Sequence, residues 1–156
     1  MKKPLVVNLF GAPGAGKSTG AAIVFAELKK AGINAELVTE FAKDKTWEHN
    51  IMALGCQEYV FGKQSYRLRR CRDDVEVIVT DSPLPLSIIY NNNPALDHNF
   101  TNVVMNVLIH MITIIITLIE LSPIILKAEI RLKKKVMPYR LLLLAYFLET
   151  IFLTRK

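Results

Sequence analysis

The residues with the clearest chemistry form one segment that fits the pattern G-x-x-x-x-G-K-[ST]. An apolar run, Leu5–Phe10, precedes it, and a helix-compatible run, Gly20–Lys30, follows it. A phosphate-binding loop requires this strand–loop–helix context. The segment predicted to bind nucleotide phosphates is Gly11, Ala12, Pro13, Gly14, Ala15, Gly16, Lys17, Ser18 and Thr19.

Each residue type in this loop has a physical reason to be there. Glycines let the backbone curl until successive N–H groups point inward at phosphate oxygens. The start of the following helix adds the positive end of its dipole. Lys17 is predicted to reach the β- and γ-phosphates, and the Ser18 hydroxyl to hold Mg²⁺. The predicted cofactors are therefore ATP and Mg²⁺.

Asp81 is the second candidate, because it directly follows the β-branched run Val75–Thr80. An acidic residue at the end of such a strand fits the Walker B role of holding Mg²⁺, directly or through water. The alternative is a helix N-cap, since Asp is favoured there and Ser82-Pro83 is compatible with a helix start.

Other candidates have two open interpretations. Glu40, which follows the strand-like run Asn34–Thr39, is either a general base toward a substrate hydroxyl or a solvated loop residue. An arginine cluster either supplies charge to a transferring phosphoryl group or forms a solvated helix face. The cluster consists of Arg67, Arg69, Arg70 and Arg72. Three neighbouring residues are candidates for contacting a nucleotide base or sugar, namely Gln57, Tyr59 and Gln64.

Strand-like and helix-like stretches alternate in the order strand, helix, strand, helix, strand. This order predicts an α/β fold with a parallel sheet flanked by helices. Ligands of such sheets lie beyond the carboxyl ends of the strands, where Gly11, Glu40 and Asp81 all fall. The sequence thus predicts one site that binds phosphate and a metal ion and that contains a candidate general base.

Composition adds weaker constraints. The 156 residues favour one domain of ordinary size, and the formal net charge is +6. The basic residues accompany no nucleic-acid motif, so nucleic acid is not indicated as a partner. Cys56 and Cys71 form no metal pattern and suggest a reducing compartment. We therefore expect a cytoplasmic location, with association with a membrane as the alternative.

Four segments together resemble the nicotinamide-riboside-kinase-like AAA domains, which are small P-loop ATPases frequent in tailed bacteriophages. They are Val7–Thr19, Leu37–Asp44, Gln57–Arg72 and Val79–Pro83. The resemblance covers roughly residues 4–107 and implies ATP at the loop and Mg²⁺ near Ser18 and Asp81. It also implies a small phosphoryl acceptor beside Glu40 and, for a phage-encoded protein, the host cytoplasm as location.

From about Val107 onward the resemblance stops, and two strongly apolar runs follow, Leu108–Leu121 and Leu141–Leu148. Residues 1–107 are therefore predicted to form a nucleotide-binding domain with an incomplete sheet, and residues 108–156 a helical or disordered hydrophobic tail. One interpretation of the tail is a membrane segment over residues 103–126, which would make the protein a membrane-anchored ATP-binding protein. His110 and Glu120 argue against that interpretation, because charge in lipid is costly. A third functional hypothesis is an ATP-dependent motor. It is weaker, because such a motor would favour a glutamate directly after Asp81, where this chain has Ser82.

A one-base shift of the reading frame near codon 107 is our preferred hypothesis for the tail. Codons permitted for Ser122–Glu129 reread in the neighbouring frame as Lys-Pro-Tyr-Asn-Pro-Lys-Gly-Arg. This has the composition of the basic lid that the resemblance implies. If the tail is out of frame, the lid arginine is missing and turnover by this chain is expected to be weak or absent.

Resequencing the gene across codons 100–156 tests this hypothesis. An open neighbouring frame that reads through a Lys/Arg-rich, Pro/Gly-containing lid is the expected result. A neighbouring frame interrupted by stop codons would show that the hydrophobic tail is genuine.

Overall fold

A five-stranded sheet forms the centre of the computed structural model, which describes residues 3–109, 111–118 and 128–131. The strands are β1 (Leu5–Phe10), β2 (Ala35–Val38), β3 (Val77–Thr80), β4 (Ile112–Leu118) and β5 (Ala128–Arg131). The helices are α1 (Lys17–Lys30), α2 (Phe41–Trp47), α3 (Ile51–Gly55), α4 (Gln57–Arg69), α5 (Leu86–Ile89) and α6 (Asp97–Ile109), with a 3₁₀ turn at Pro94–Leu96.

The strands lie in the order β2-β3-β1-β4-β5. The first four are parallel, and β5 pairs antiparallel with β4. Leu5 at the start of β1 lies opposite Val77 on one side and Ile112 on the other. Because β1 and β3 are direct neighbours in parallel register, their carboxyl ends, and the loops that follow, lie side by side.

Strands β1 and β3 are buried on both faces, which is why their sequences are continuous apolar runs. On one face, Leu5, Val7 and Leu9 of β1 pack with Val24 and Leu28 of α1. On the other, strand residues pack with α4 and α6, in a cluster that includes Val6, Ile78, Phe61, Leu68, Phe100 and Val104. Side chains alternate between faces along a strand, so β1 is covered on both sides.

The predicted α/β class with a parallel sheet flanked by helices is confirmed. The second helix-like stretch of the predicted order, which lies between β2 and β3, consists of three helices, α2, α3 and α4. Asn50 starts the second of them, because its side chain accepts a hydrogen bond from the Ala53 N–H at 3.0 Å. An N-cap of this kind marks a helix start that hydrophobic spacing alone does not reveal.

The expectation of a helical or disordered tail is corrected for Ile112–Leu118, the first part of that tail. Ile112–Leu118 is a strand that pairs with all six residues of β1, so the described sheet has a fourth parallel strand. The physical reason is that β-branched Ile and Thr, which dominate this segment, favour extended chain over helix. Residues 119–127 and 132–156, which include most of the reread segment Ser122–Glu129 and the second apolar run, lie outside the described residues.

The predicted membrane segment over residues 103–126 is likewise corrected for its described part. Residues 103–109 end α6, and Ile112–Leu118 is β4, so the described stretch is not one continuous helix. Among the described residues, no helix has the length and apolar character needed to cross a membrane.

Candidate active site at the carboxyl ends of the strands

The loop between β1 and α1 has the backbone conformation that its glycines predict. Gly14 and Gly16 both adopt φ 84°, in the left-handed region that residues with a side chain rarely enter. Gly16 is also the N-cap of α1, and it provides no side-chain cap. The first N–H groups of α1 have no intrahelical acceptor and, in the described part of the chain, no acceptor from an N-cap side chain, as an anion-binding helix start requires.

Lys17 lies folded back across this loop. Its Nζ donates to the carbonyl oxygens of Gly11 and Ala12, both at 2.9 Å. These bonds fix the ammonium group above the loop, at the start of the helix. An ammonium has three N–H donors, so one remains after these two bonds to described residues.

Ser18 and Asp81 meet across the site, although 63 positions separate them in the chain. The Ser18 hydroxyl donates to Asp81 Oδ2 at 2.6 Å. Asp81 is only 4% exposed, and its Oδ1 is buried with no hydrogen-bond partner among the described residues. An unpaired buried carboxylate oxygen is costly unless something binds it. Asp81 does not cap α5, which begins five residues later after Pro85.

The turn after β3 holds Asp81 in this position. Thr80 is fully buried in the strand, and its Oγ1 accepts a hydrogen bond from the Ser82 N–H at 3.1 Å. The bond closes a short turn directly around Asp81. Thr80 and Ser82, which precede and follow Asp81 in the chain, therefore fix the backbone that carries the carboxylate.

Glu40 lies between the end of β2 and the start of α2, in backbone that α4 holds on both sides. Gln64 of α4 is 2% exposed; its Oε1 accepts from the Phe41 N–H at 2.8 Å, and its Nε2 donates to the Thr39 carbonyl at 3.3 Å. Arg67 donates to the same Thr39 carbonyl at 3.3 Å. These contacts, which we call the α4 clamp, fix the residues on either side of Glu40.

The Glu40 carboxyl shares its electrostatic surroundings with the other predicted site residues. Burial raises its pKa above the ordinary value, and the nearby charges of Asp81 and Asp44 raise it further. Lys17 and Lys43 act in the opposite direction without cancelling these effects. A carboxyl group with a raised pKa is a better proton acceptor when ionised, which is the property that a general base needs.

The arginine cluster is divided between structural and exposed positions. Arg67 forms a salt bridge with Asp44, and its guanidinium lies 5.2 Å from the centre of the Phe41 ring. Arg72 pairs with neighbouring Asp73, and Arg69 and Arg70 are exposed. The described contacts therefore place Arg67 in the α4 clamp and not over the loop.

A cleft of about 320 Å³ opens beside Glu40, between the α3–α4 region and the segment that contains α5. Gln57 and Gln64, two of the three residues predicted to contact a base or sugar, line it. The third, Tyr59, packs edge-on against Phe41, and it is not among the lining residues. The far wall includes Ser87, Tyr90 and Asn92.

Sequence reasoning missed this far wall and the α4 clamp. Ser87, Tyr90 and Asn92 follow no motif, and only the packing of α5 against α4 brings them to the cleft. The sequence predicts that Gln64 contacts a ligand, whereas its buried amide forms hydrogen bonds with the backbone on either side of Glu40. A buried glutamine on an otherwise apolar helix face is the one signal that indicates such a role.

Comparison with known proteins gives similarity without family membership. No family model and no curated protein matches the chain. Among solved structures, a mutant of the APS kinase CysC from Mycobacterium tuberculosis is similar at 17% identity and TM-score 0.45, over 76% of each chain. The protein APE1195 is similar at 20% identity and TM-score 0.45, over 75% of this chain and 61% of its own length. The resemblance to nicotinamide-riboside-kinase-like domains, and a phage origin, stay predictions.

The raised pKa of Glu40 predicts a pH-dependent effect of Glu40→Gln on stability. The folded state holds this proton to higher pH than the unfolded chain, whose carboxyl has the ordinary value of 4.5. Stability is therefore lost as pH rises above that value through the folded pKa. By differential scanning fluorimetry, we expect E40Q to raise Tm relative to the parent protein at about pH 7 and to match it at about pH 4.

Glu58→Gln is the matched control, because Glu58 is an exposed carboxyl on α4. Its Tm difference from the parent should not increase with pH, because Glu58 lies in the first turn of α4, where a negative charge is favourable. An E40Q difference that likewise fails to increase with pH would contradict the assigned environment of Glu40.

Proposed function

We propose that the protein is a P-loop ATP-binding enzyme of the nucleoside- or nucleotide-kinase type, which transfers or hydrolyses the γ-phosphoryl group of ATP. The observation that carries this proposal is the buried, unpaired Oδ1 of Asp81 beside the Ser18 hydroxyl, at the mouth of the glycine loop. A hydroxyl at the start of a phosphate-binding helix, together with a carboxylate at the end of a neighbouring strand, is a typical ligand set for a nucleotide-bound magnesium ion.

The residues present fit Mg²⁺ in kind and in arrangement. The ion prefers oxygen ligands and is held by few protein groups, with waters and phosphates completing its shell. Ser18 Oγ and Asp81 Oδ2 are already within 2.6 Å of one another, and Oδ1 is the unpaired oxygen. When bound, the ion would neutralise charge on the β- and γ-phosphates.

The chain's own residues divide the remaining work. Backbone N–H groups of Gly14 and of Gly16–Thr19, where the loop enters α1, would bind phosphate oxygens, and Lys17 would exchange its carbonyl partners for them. Glu40 would accept the proton of an acceptor hydroxyl in the adjoining cleft. The α4 clamp would keep Glu40 in place during that transfer.

Nucleotide binding and turnover place different demands on the site. Stabilisation of a transferring phosphoryl group needs positive charge beyond Lys17 and the metal. If the tail is out of frame, the basic lid that would provide this charge is missing from the chain. We therefore expect ATP to bind even where turnover is slow.

Equilibrium binding of a fluorescent ATP analogue in the presence of Mg²⁺ tests the proposal. Lys17→Ala should weaken binding about 10- to 100-fold, because hydrogen bonds to charged groups contribute about 1.5–3 kcal/mol each. Lys29→Ala is the control, since it removes the same charge from an exposed position on the same helix. Equal affinity in K17A and K29A, or no binding by the parent protein, would refute the proposal.

A further inference from the structure

One cation at the start of α2 keeps its charge available for a ligand. Asp44 on this helix forms a salt bridge with Arg67, and Lys45 forms one with Glu48, the C-cap of the helix. Lys43 is exposed and forms no salt bridge with a described residue. It is the one charged residue of α2 without such a partner in the described part of the chain.

Lys43 lies beside Glu40, the candidate base. Glu40 is the N-cap of α2, and Lys43 is the third residue of that helix. Side chains at these two positions are spatial neighbours, because the third residue of a helix reaches back to the N-cap in a capping box. The Glu40 carboxyl makes no cap hydrogen bond, and Lys43 is one of the two lysines whose charge acts on it. The ammonium group therefore belongs to the same site as the carboxyl.

The stability of α2 does not explain a lysine at this position. A positive charge in the first turn of a helix meets the positive end of the helix dipole, where an acidic residue is favoured. A capping box would likewise place glutamate or glutamine there. Lys43 is thus unfavourable for the helix itself and favourable for a negative charge beside it.

The strand order places this cation on the opposite side of the site from Lys17. Because β3 lies between β1 and β2 and neighbouring strands are about 4.8 Å apart, the ends of β1 and β2 are separated by about 10 Å. The glycine loop follows β1, Asp81 follows β3 and Glu40 follows β2. A phosphoryl group that moves from the loop toward Glu40 therefore has Lys17 on the loop side and Lys43 on the acceptor side.

We propose that Lys43 is a second catalytic cation, which contacts the γ-phosphoryl group of bound ATP from the side of the acceptor. The flexible four-carbon stem of lysine allows the ammonium group to reach that position. The inference rests on the proposed function, and it assigns to Lys43 part of the positive charge that turnover needs beyond Lys17 and the metal.

The role of Lys43 in the transfer follows from where charge develops. The acceptor hydroxyl oxygen forms a bond to the γ-phosphorus, and the bond from that phosphorus to the β–γ bridging oxygen breaks, with its electron pair leaving on ADP. The hydroxyl proton passes to Glu40. Negative charge is spread over the three other oxygens of the transferring group, and the Lys43 ammonium pairs with them.

Equilibrium binding at low ionic strength tests this without requiring turnover. The affinities of the full-length protein for ADP and for a non-hydrolysable ATP analogue, each with Mg²⁺, are measured in the parent and in the variants. Because only the analogue carries a γ-phosphate, Lys43→Ala should weaken analogue binding about 10-fold and change ADP binding less than about 2-fold. Lys43→Arg keeps the charge and should retain most of the analogue affinity.

Lys29→Ala is the control, because it removes the same charge from an exposed position in the last turn of α1. It should change neither affinity. Equal analogue affinity in the parent and K43A, or an equal loss for ADP and the analogue, would overturn the inference.

The same comparison in a Glu40→Gln background separates a direct contact from an effect that acts through Glu40. If Lys43 served only to offset the charge of Glu40, K43A would have no effect once that charge is removed. A direct contact with the γ-phosphoryl group predicts a similar loss of analogue affinity in E40Q and in the parent. Disappearance of the K43A effect in E40Q would overturn the inference.

The two proposals fail in different ways. If the parent protein does not bind the ATP analogue, the proposed function fails, and the role of Lys43 fails with it. If Lys17→Ala weakens analogue binding and Lys43→Ala does not, the function stands and only the inference about Lys43 fails.

Discussion

The hydrogen bond between Ser18 and Asp81 is the contact on which the rest of the site depends. It joins the first turn of α1 to the end of β3, and it can form only because β1 and β3 are parallel neighbours whose carboxyl ends coincide. Burial of Asp81 makes the bond strong and makes its remaining oxygen costly to leave unpaired. The hydrogen bond that joins α1 to β3 thus also brings together a hydroxyl and a carboxylate, whose oxygens are suited to a hard cation.

A second constraint is the way in which α4 fixes the backbone on both sides of Glu40. The clamp uses a buried amide that satisfies a backbone donor on one side of the residue and a backbone acceptor on the other. Burial of the Glu40 carboxyl, together with the charge of Asp81, raises the pKa of that group. The loop, the candidate metal ligands and the candidate base are therefore held by three separate elements, α1, β3 and α4, that the sheet holds together.

The sequence predicted the parts of this site that depend on local chemistry. The loop glycines, Lys17 and the strand-terminal positions of Glu40 and Asp81 follow from residue type and spacing, because a positive φ or a strand end has a local signature. The far wall of the cleft could not be predicted, since Ser87, Tyr90 and Asn92 reach it only through the packing of α5. For Ile112–Leu118, β-branched residues indicated extended chain, but apolar length and the end of the family resemblance favoured other interpretations. Pairing with β1, a long-range contact, is what determines its structure.

The most direct test of the account is the Mg²⁺ dependence of ATP affinity, measured with and without a chelator in the parent protein, Ser18→Ala, Asp81→Asn and the double variant. If the two oxygens hold one ion, Mg²⁺ should strengthen ATP binding in the parent, the strengthening should be largely lost in each single variant, and the double variant should lose little more. Full retention of the Mg²⁺ effect in D81N would contradict the account, because the buried carboxylate would then have no part in binding the nucleotide.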